Sequence, residues 1–270
     1  MKKTKRRHAR HVWNPFHWHS WIIWLGGILT ISLYVLGLYH FFVNPFSFRW
    51  KGIFGDTTNP SGYYIRGLDI SHYQGTIDWT KLRNAYINEE PVRFVFIKAT
   101  EGTDFLDEYF NENFYQAREN NIIRGAYHFF LPSESPVAQA KYFLRQVHLE
   151  EGDLPPVLDI EHSGNLTKAQ VAKAALKWLN IVEERYGVKP IIYTNYSFKL
   201  EYLSDSIFND YPYWIAHYYV DTLKYDKPWK FWQYTDCGNV KGIKGKVDFN
   251  IYNGSMYDLQ RFTIMRKDDE

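Results

Sequence analysis

From Tyr63 onward, short runs rich in β-branched and aromatic residues alternate with longer amphipathic runs, and this alternation limits the possible folds most. The strand candidates are Ile65–Ile70, Arg93–Ala99, Arg124–Phe130, Pro156–Glu161, Pro190–Thr194, Tyr213–His217, Lys230–Tyr234 and Val247–Ile251. Helix candidates lie between the early ones, at Trp79–Ile87, Glu108–Asn120, Pro136–His148 and Thr167–Tyr186. Thr167 suits an N-cap and Gly187 a C-cap. Strands that alternate with helices imply βαβ units and parallel pairing. Eight strand candidates in about 190 residues therefore predict an α/β fold, an irregular (β/α)8-type barrel. Too little chain separates the later strands for each to carry a helix, so fewer than eight helices are expected. Residues 63–270 are assigned to this domain. No solenoid-type repeat is present.

The chain upstream is different in kind. Trp21–Val43 contains no Asp, Glu, Lys or Arg over 23 residues. A bilayer core of ~30 Å needs about 20 helical residues, so the segment is long enough to span. Trp13, Trp18, Trp21 and Trp24 lie towards one end and Tyr39, Phe41 and Phe42 towards the other, as in aromatic interface belts. Six basic residues and no acid lie within residues 1–20. That bias predicts a cytoplasmic head, a transmembrane signal anchor over 21–43, and an exported remainder, periplasmic or extracellular. The residues that follow, HFFVNPFSFRW, offer no small-residue cleavage site. Residues 44–62, with Pro45, Gly52, Gly55, Pro60 and Gly62, read as a linker.

Composition narrows the partner. The net charge of +2 hides an asymmetry, since outside the first 20 residues 26 basic residues face 30 acidic ones. A mildly acidic bulk argues against nucleic acid. Aromatic residues make up 19% of the chain, more than a core needs. Carbohydrate clefts and membrane interfaces both suit rings with a polar tip. The single cysteine, Cys237, excludes an internal disulfide and any cysteine-based metal site.

Acidic residues fall near the ends of several strand candidates: Asp69 in IRGLD, Asp159 and Glu161 in PPVLDIE, and Asp248 in KVDFN. In an α/β barrel the active site is built on the rim at the C-terminal ends of the strands. Residues i and i+2 of a strand face the same side, about 6.6 Å apart, so Asp159 and Glu161 enter one space. Two carboxyls held so close cannot both ionise easily, and one pKa rises. A protonated acid beside an ionised one is the pairing that glycosidic bond cleavage uses. The triplet alone also fits an ion-pair site or a Mg²⁺ or Mn²⁺ site. Tyr127, Tyr193, Trp214, Trp232 and Gln233 accompany the acids at strand ends, which favours a saccharide cleft. His128 is placed with this substrate-binding set, and His72 is read as a pocket or core residue.

Taken in order, GLDISHYQGTIDW (67–79), FVFIKATEGTDFLDEYFNENFYQAR (94–118), RGAYHFF (124–130), LPPVLDIE (154–161), IIYTN (191–195), YWIAHY (213–218), FWQYT (231–235) and VDFNIYNG (247–254) resemble glycoside hydrolase family 25, the Chalaropsis-type muramidases. The resemblance runs from about Tyr64 to Leu259. It implies hydrolysis of the β-1,4 bond between N-acetylmuramic acid and N-acetylglucosamine in peptidoglycan, without metal or organic cofactor. It implies Glu161 as the general acid, and Asp159 as its partner, orienting a 2-acetamido group of the substrate that acts as internal nucleophile. Asp69 and Asp248 match the two further acids of the family pocket, and Tyr127, Tyr193 and Gln233 match cleft positions. The N-terminal anchor departs from the many members that are secreted free. Two other readings stay open on sequence: a non-catalytic, membrane-tethered peptidoglycan-binding module, and a chitin-type hydrolase, although the DxxDxDxE run of the latter is not seen.

Overall fold

A computed structural model describes residues 20–38 and 59–265. The chain divides into two units, Met1–Trp50 and Lys51–Glu270. In the first, Ser20–Leu38 is a helix, and its residues 23–36 are all exposed. Among the described residues, no helix is long and apolar enough to cross a membrane. The expected span over 21–43 is thus described only as far as Leu38. The basic head and residues 44–58 of the expected linker also lie outside the described residues.

The second unit is a closed barrel. Its strands are β1 (Ile65–Ile70), β3 (Glu90–Glu101), β5 (Ile123–Phe129), β6 (Val157–Asp159), β7 (Ile191–Asn195), β8 (Tyr213–Ala216), β9 (Phe231–Gly238) and β10 (Val247–Tyr252), with two short additions, β2 (Tyr86–Ile87) and β4 (Phe105–Leu106). Neighbours from β1 through β3, β5, β6, β7 and β8 to β9 pair in parallel. β10 closes the ring and is antiparallel to both β9 and β1. The expected eight-stranded barrel is present, with one strand reversed. The end of the predicted Trp79–Ile87 helix is instead β2, because the helix stops at Leu82.

Strand parity divides the core in two. Ile65, Phe94, Phe96, Val157, Ile191, Trp214, Phe231 and Tyr252 fill the barrel interior. Their strand neighbours Val95, Ile97, Leu158, Ile192, Ile215, Trp232 and Ile251 face outward into a second layer. Gly67 and Gly125 flank β3 on either side, and a Cβ at either position would meet the ring of Phe94 or Phe96 at 2.5 or 2.7 Å. Their bare backbones make room for two large rings inside a narrow barrel.

Helices cover only part of the outer wall. Pro136–Gln146 and Lys168–Tyr186 pack side by side, the first against β3 and the second against β6. The Lys168–Tyr186 helix begins with a capping box between Thr167 and Gln170 and ends at Gly187 with φ of 72°, as the sequence predicts. No helix separates β8 from β9, or β9 from β10. There the outward face is closed by aromatic rings: Trp229 lies 5.7 Å from Tyr63 and 6.2 Å from Trp232, and Arg66 lies 5.6 Å from the ring of Tyr234. Part of the aromatic surplus therefore seals a wall that lacks helices.

Candidate active site

One rim of the barrel holds a cavity of about 310 Å³ lined by Asp69, Asp159, Glu161 and Asp248, with Lys98, Tyr127, Tyr193, Trp214, Tyr218 and Gln233. Asp159 is the last residue of β6 and Asp69 the fifth of β1. Asp248, by contrast, is the second residue of β10. It reaches the same rim because its strand runs the other way, which sets it directly across from Asp69 in register. The sequence reading placed Asp248 in the right rim without the strand reversal that puts it there.

Asp69 and Asp248 form a tightly bonded pair. The Gln233 amide donates to Asp69 Oδ2 at 2.7 Å and to Asp248 Oδ2 at 2.9 Å. Its oxygen accepts from the Tyr193 hydroxyl at 2.7 Å and the Tyr218 hydroxyl at 2.6 Å. Every donor of the amide is used and the two hydroxyls fix which way it faces. Asn250 also donates to Asp69 Oδ2 at 2.7 Å, and its own oxygen accepts from the Trp214 indole at 2.7 Å. Burial pushes the Asp69 carboxyl up to about 6, against the pull of these donors. Burial and the nearby Asp69 charge hold Asp248 well above the carboxylate range. Burial and mutual repulsion thus disfavour two negative charges on this pair.

Asp159 and Glu161 have far fewer partners. Asp159 is 5% exposed, and its buried Oδ1 has no hydrogen-bond partner. Burial, and then the Glu161 charge, push its pKa well up, opposed by Lys98. Strand β6 ends at Asp159, but Ile160 N still donates to Tyr193 O at 3.0 Å and keeps the chain extended. Glu161 consequently follows on the same side, while Ile160 is buried in the layer behind. Burial, then Asp69, push Glu161 up to about 7, and a hydrogen bond with Asn195 restrains the rise. A carboxyl with that pKa holds a proton near neutrality and can release it in a reaction, as a general acid must.

The sequence matches the family described as Glycosyl hydrolases family 25 over residues 68–243. This chain belongs to glycosyl hydrolase family 25. It is 45% identical over 204 residues to protein YegX of Escherichia coli K12, covering 75% of each chain. It is 37% identical over 206 residues to Lysozyme M1 of Streptomyces globisporus, covering 71% of this chain and 68% of that one. The structure superposes on the lysozyme from Streptomyces coelicolor with a TM-score of 0.68 at 35% identity, covering 75% of this chain and 98% of that one. The chain is thus a glycoside hydrolase, and the irregular barrel is the fold of its solved relatives.

Within this family 25 barrel, two residues expected in the cleft lie elsewhere. His128 follows inward-facing Tyr127 on β5 and so points outward. It is fully buried, bonded to Thr100 Oγ1 at 2.8 Å and Gln139 Oε1 at 3.1 Å, and stacked 5.6 Å from Trp178. Burial lowers its pKa to about 3, so it stays neutral. Trp232 precedes inward-facing Gln233 on β9 and also points outward, its indole donating to His217 O at 2.7 Å. Neither can contact a substrate in the cavity. Alternation along the strand, applied to Asp159 and Glu161, applies equally here and excludes both. The remaining expected residues, Tyr127, Tyr193, Trp214 and Gln233, do line the cavity. Trp214 is only 2% exposed and stacks 4.3 Å from Phe96, which makes it the floor.

Sequence reasoning missed Lys98, Tyr218, Asn195 and Asn250. Lys98 follows the inward positions Phe94 and Phe96 at the same parity, a signal visible in FVFIK. It pairs with Glu101 at 2.6 Å and lies 4.9 Å from the Phe129 ring. Tyr73 was also missed, although it belongs to the cavity lining.

Proposed function

We propose that this protein is a muramidase that hydrolyses the β-1,4 bond between N-acetylmuramic acid and N-acetylglucosamine in peptidoglycan strands. The observation that carries the reading is the pair of buried, sparsely bonded carboxyls Asp159 and Glu161 on the barrel rim. The names of its relatives, Lysozyme M1 and the N,O-diacetylmuramidase of Chalaropsis, point the same way.

In this reading Glu161 gives its proton to the glycosidic oxygen as the C–O bond breaks. Asp159 accepts a hydrogen bond from the N–H of the substrate's 2-acetamido group on its unpartnered Oδ1; burial and Glu161 oppose its carboxylate form, and Lys98 and that new donor support it. The acetamido oxygen then bonds to the anomeric carbon from the opposite face and forms an oxazolinium ring, the substrate-assisted route. Glu161, now a carboxylate, takes a proton from the water that opens that ring and is restored. Asp69 and Asp248 hold the pocket's shape and its proton balance. Tyr127, Tyr193 and Gln233 line the sugar's path.

Mass analysis of muropeptides released from purified peptidoglycan tests the reading. New reducing ends on N-acetylmuramic acid are expected, and Glu161→Gln should abolish their release. Reducing ends on N-acetylglucosamine, or release that survives in Glu161→Gln, would overturn it.

Attachment to the membrane by the N-terminal segment belongs to the same proposal. The uncharged 23-residue stretch and the six basic residues before it support it. The exposure of Ile23, Trp24, Leu29, Ile31 and Leu36 on the Ser20–Leu38 helix also leaves a largely apolar surface to be covered. The head is then cytoplasmic and the barrel exported. After carbonate washing, the full chain should stay with the membrane fraction, and its recovery in the supernatant would exclude the anchor.

A further inference from the structure

We infer that Tyr73 is a sugar-stacking platform that extends the cleft beyond the four acids by at least one glycan ring. The inference rests on the glycan-cleaving function proposed above and names a binding site for it. Tyr73 borders the cavity that holds the acids, and it is 83% exposed, the most open large ring among the described residues of the barrel unit. Exposed aromatic rings are common, but this one is carried on a short turn, His72–Gln74, that is held from several sides.

Ser71 and Gln74 form a reciprocal capping box around the turn. The Gln74 amide also donates to Lys246 O at 3.2 Å, which ties the turn to the chain just before β10. His72 donates its backbone N–H to Asp107 Oδ2 at 2.9 Å, and its ring nitrogen meets the same oxygen at 3.0 Å. Asp107 is itself buried. The His72 ring lies 4.2 Å from that of Tyr73 at 36°, and 6.0 Å from that of Phe105. The capping box and two other segments, at Asp107 and Lys246, thus fix the backbone of a residue whose ring rests beside His72 and is otherwise largely open.

Such an arrangement fits ligand binding better than folding. A rigid ring already held in place loses little entropy when it takes a partner. Its open face is apolar and its hydroxyl lies at the edge, which suits the C–H face of a pyranose with hydroxyls at the rim. Because the ring adjoins the cavity of the acids, the sugar it takes is part of the chain being cut.

The test compares the full protein with Tyr73→Ala and Tyr73→Phe on purified glycan strands sorted by length. Since the ring is mostly exposed, Tyr73→Ala should melt within about 2 °C of the parent. On long strands its KM should rise roughly 3- to 10-fold, with a smaller change in kcat. Tyr73→Phe keeps the ring and should recover most of the parent KM. The Ala penalty should shrink on the shortest strands that are still cut, which cannot reach the platform. An equal penalty at every length, or none at any length, overturns the inference. If the parent protein cuts no peptidoglycan, the proposed function fails separately. Calorimetric binding of the same strands to parent and Tyr73→Ala then decides the platform, and equal affinities refute it.

Discussion

The two acid pairs on the barrel rim differ in how completely their oxygens are occupied. Asp69 receives amide donors from Gln233 and Asn250, Asp248 shares the Gln233 donor, and Gln233 is in turn held by two tyrosines. Asp159 keeps a buried oxygen without a partner, and Glu161 has the Asn195 bond to set against its burial. Burial raises all four carboxyls, but only one pair is compensated by the protein. Buried polar groups are normally satisfied, so the unpartnered Asp159 oxygen in a cleft fits a place left for a substrate to complete the bonding. Under the proposed function, the first pair is the scaffold and the second reacts.

The sharpest way to break this comparison is by activity. Asp159→Asn and Glu161→Gln should lose roughly 10³-fold or more in kcat, in line with removal of a general acid and of its partner. Asp69→Asn and Asp248→Asn should lose less, about 10- to 100-fold, because they act through shape and protonation. Rates measured on one peptidoglycan preparation give the order directly. An Asp69→Asn variant as inactive as Glu161→Gln would erase the proposed division of roles.

Stability should show the reverse order. Gln233→Met keeps the volume but removes both donors and the acceptor, leaving Asp69, Asp248 and Tyr193 short of partners. Hydrogen bonds to charged groups contribute about 1.5–3 kcal/mol each, so a loss of roughly 3 kcal/mol is expected in denaturant unfolding at pH 7. A loss below about 1 kcal/mol would mean that the network is ornamental.

A smaller effect carries an informative sign. A carboxyl whose pKa is raised in the folded state binds a proton that the unfolded chain has already released. Its contribution to stability therefore falls as pH rises from the unfolded value of 4.5 through the folded value of about 7. The full displacement corresponds to about 3 kcal/mol, reduced to roughly 1–2 kcal/mol because solvent reaches this partly open group. Glu161→Gln should therefore be more stable than the parent at pH 8 and equal to it near pH 4. Asp69→Asn should gain less, since a neutral amide oxygen accepts the Gln233 and Asn250 donors more weakly than the charged oxygen that now takes both. Melting curves at the two pH values decide, and a Glu161→Gln variant less stable at pH 8 contradicts the strain assigned to this pair.

Much of this was legible in the sequence. The barrel was, because eight apolar strand runs and the capping residues Thr167 and Gly187 are local signals. So was the meeting of Asp159 with Glu161, because alternation is a local rule that holds wherever the chain stays extended. The same rule excludes His128 and Trp232, whose neighbours Tyr127 and Gln233 take the inward places. What was not legible depends on partners distant in the chain. The reversal of β10, which brings Asp248 opposite Asp69, follows from the way the ring closes. The bond from Gln233 to Asp69 joins residues 164 positions apart, and that from Asn250 joins residues 181 apart. No local pattern marks an asparagine as a clamp. The helix-free wall behind β9 explains where surplus aromatic residues go, which composition alone assigned to a cleft or a membrane.

The smallest expected effect tests the one partner that Glu161 does have. Asn195 performs two tasks: its Oδ1 accepts from Phe198 N at 2.8 Å and caps the Tyr196–Tyr202 helix, and its hydrogen bond favours the ionised form of Glu161. Serine is also a good N-cap, so Asn195→Ser should preserve the helix while removing the bond to the carboxylate. Without that bond the ionised form is less favoured, the pKa of Glu161 rises further above about 7, and the acid form persists to higher pH. The alkaline limb of the kcat profile should therefore move upward by roughly half a unit, with little change in the rate on the plateau. A shift to lower pH, or an alkaline limb that does not move, would mean that the group titrating there is not Glu161, and the assignment of the acid would pass to its neighbour Asp159.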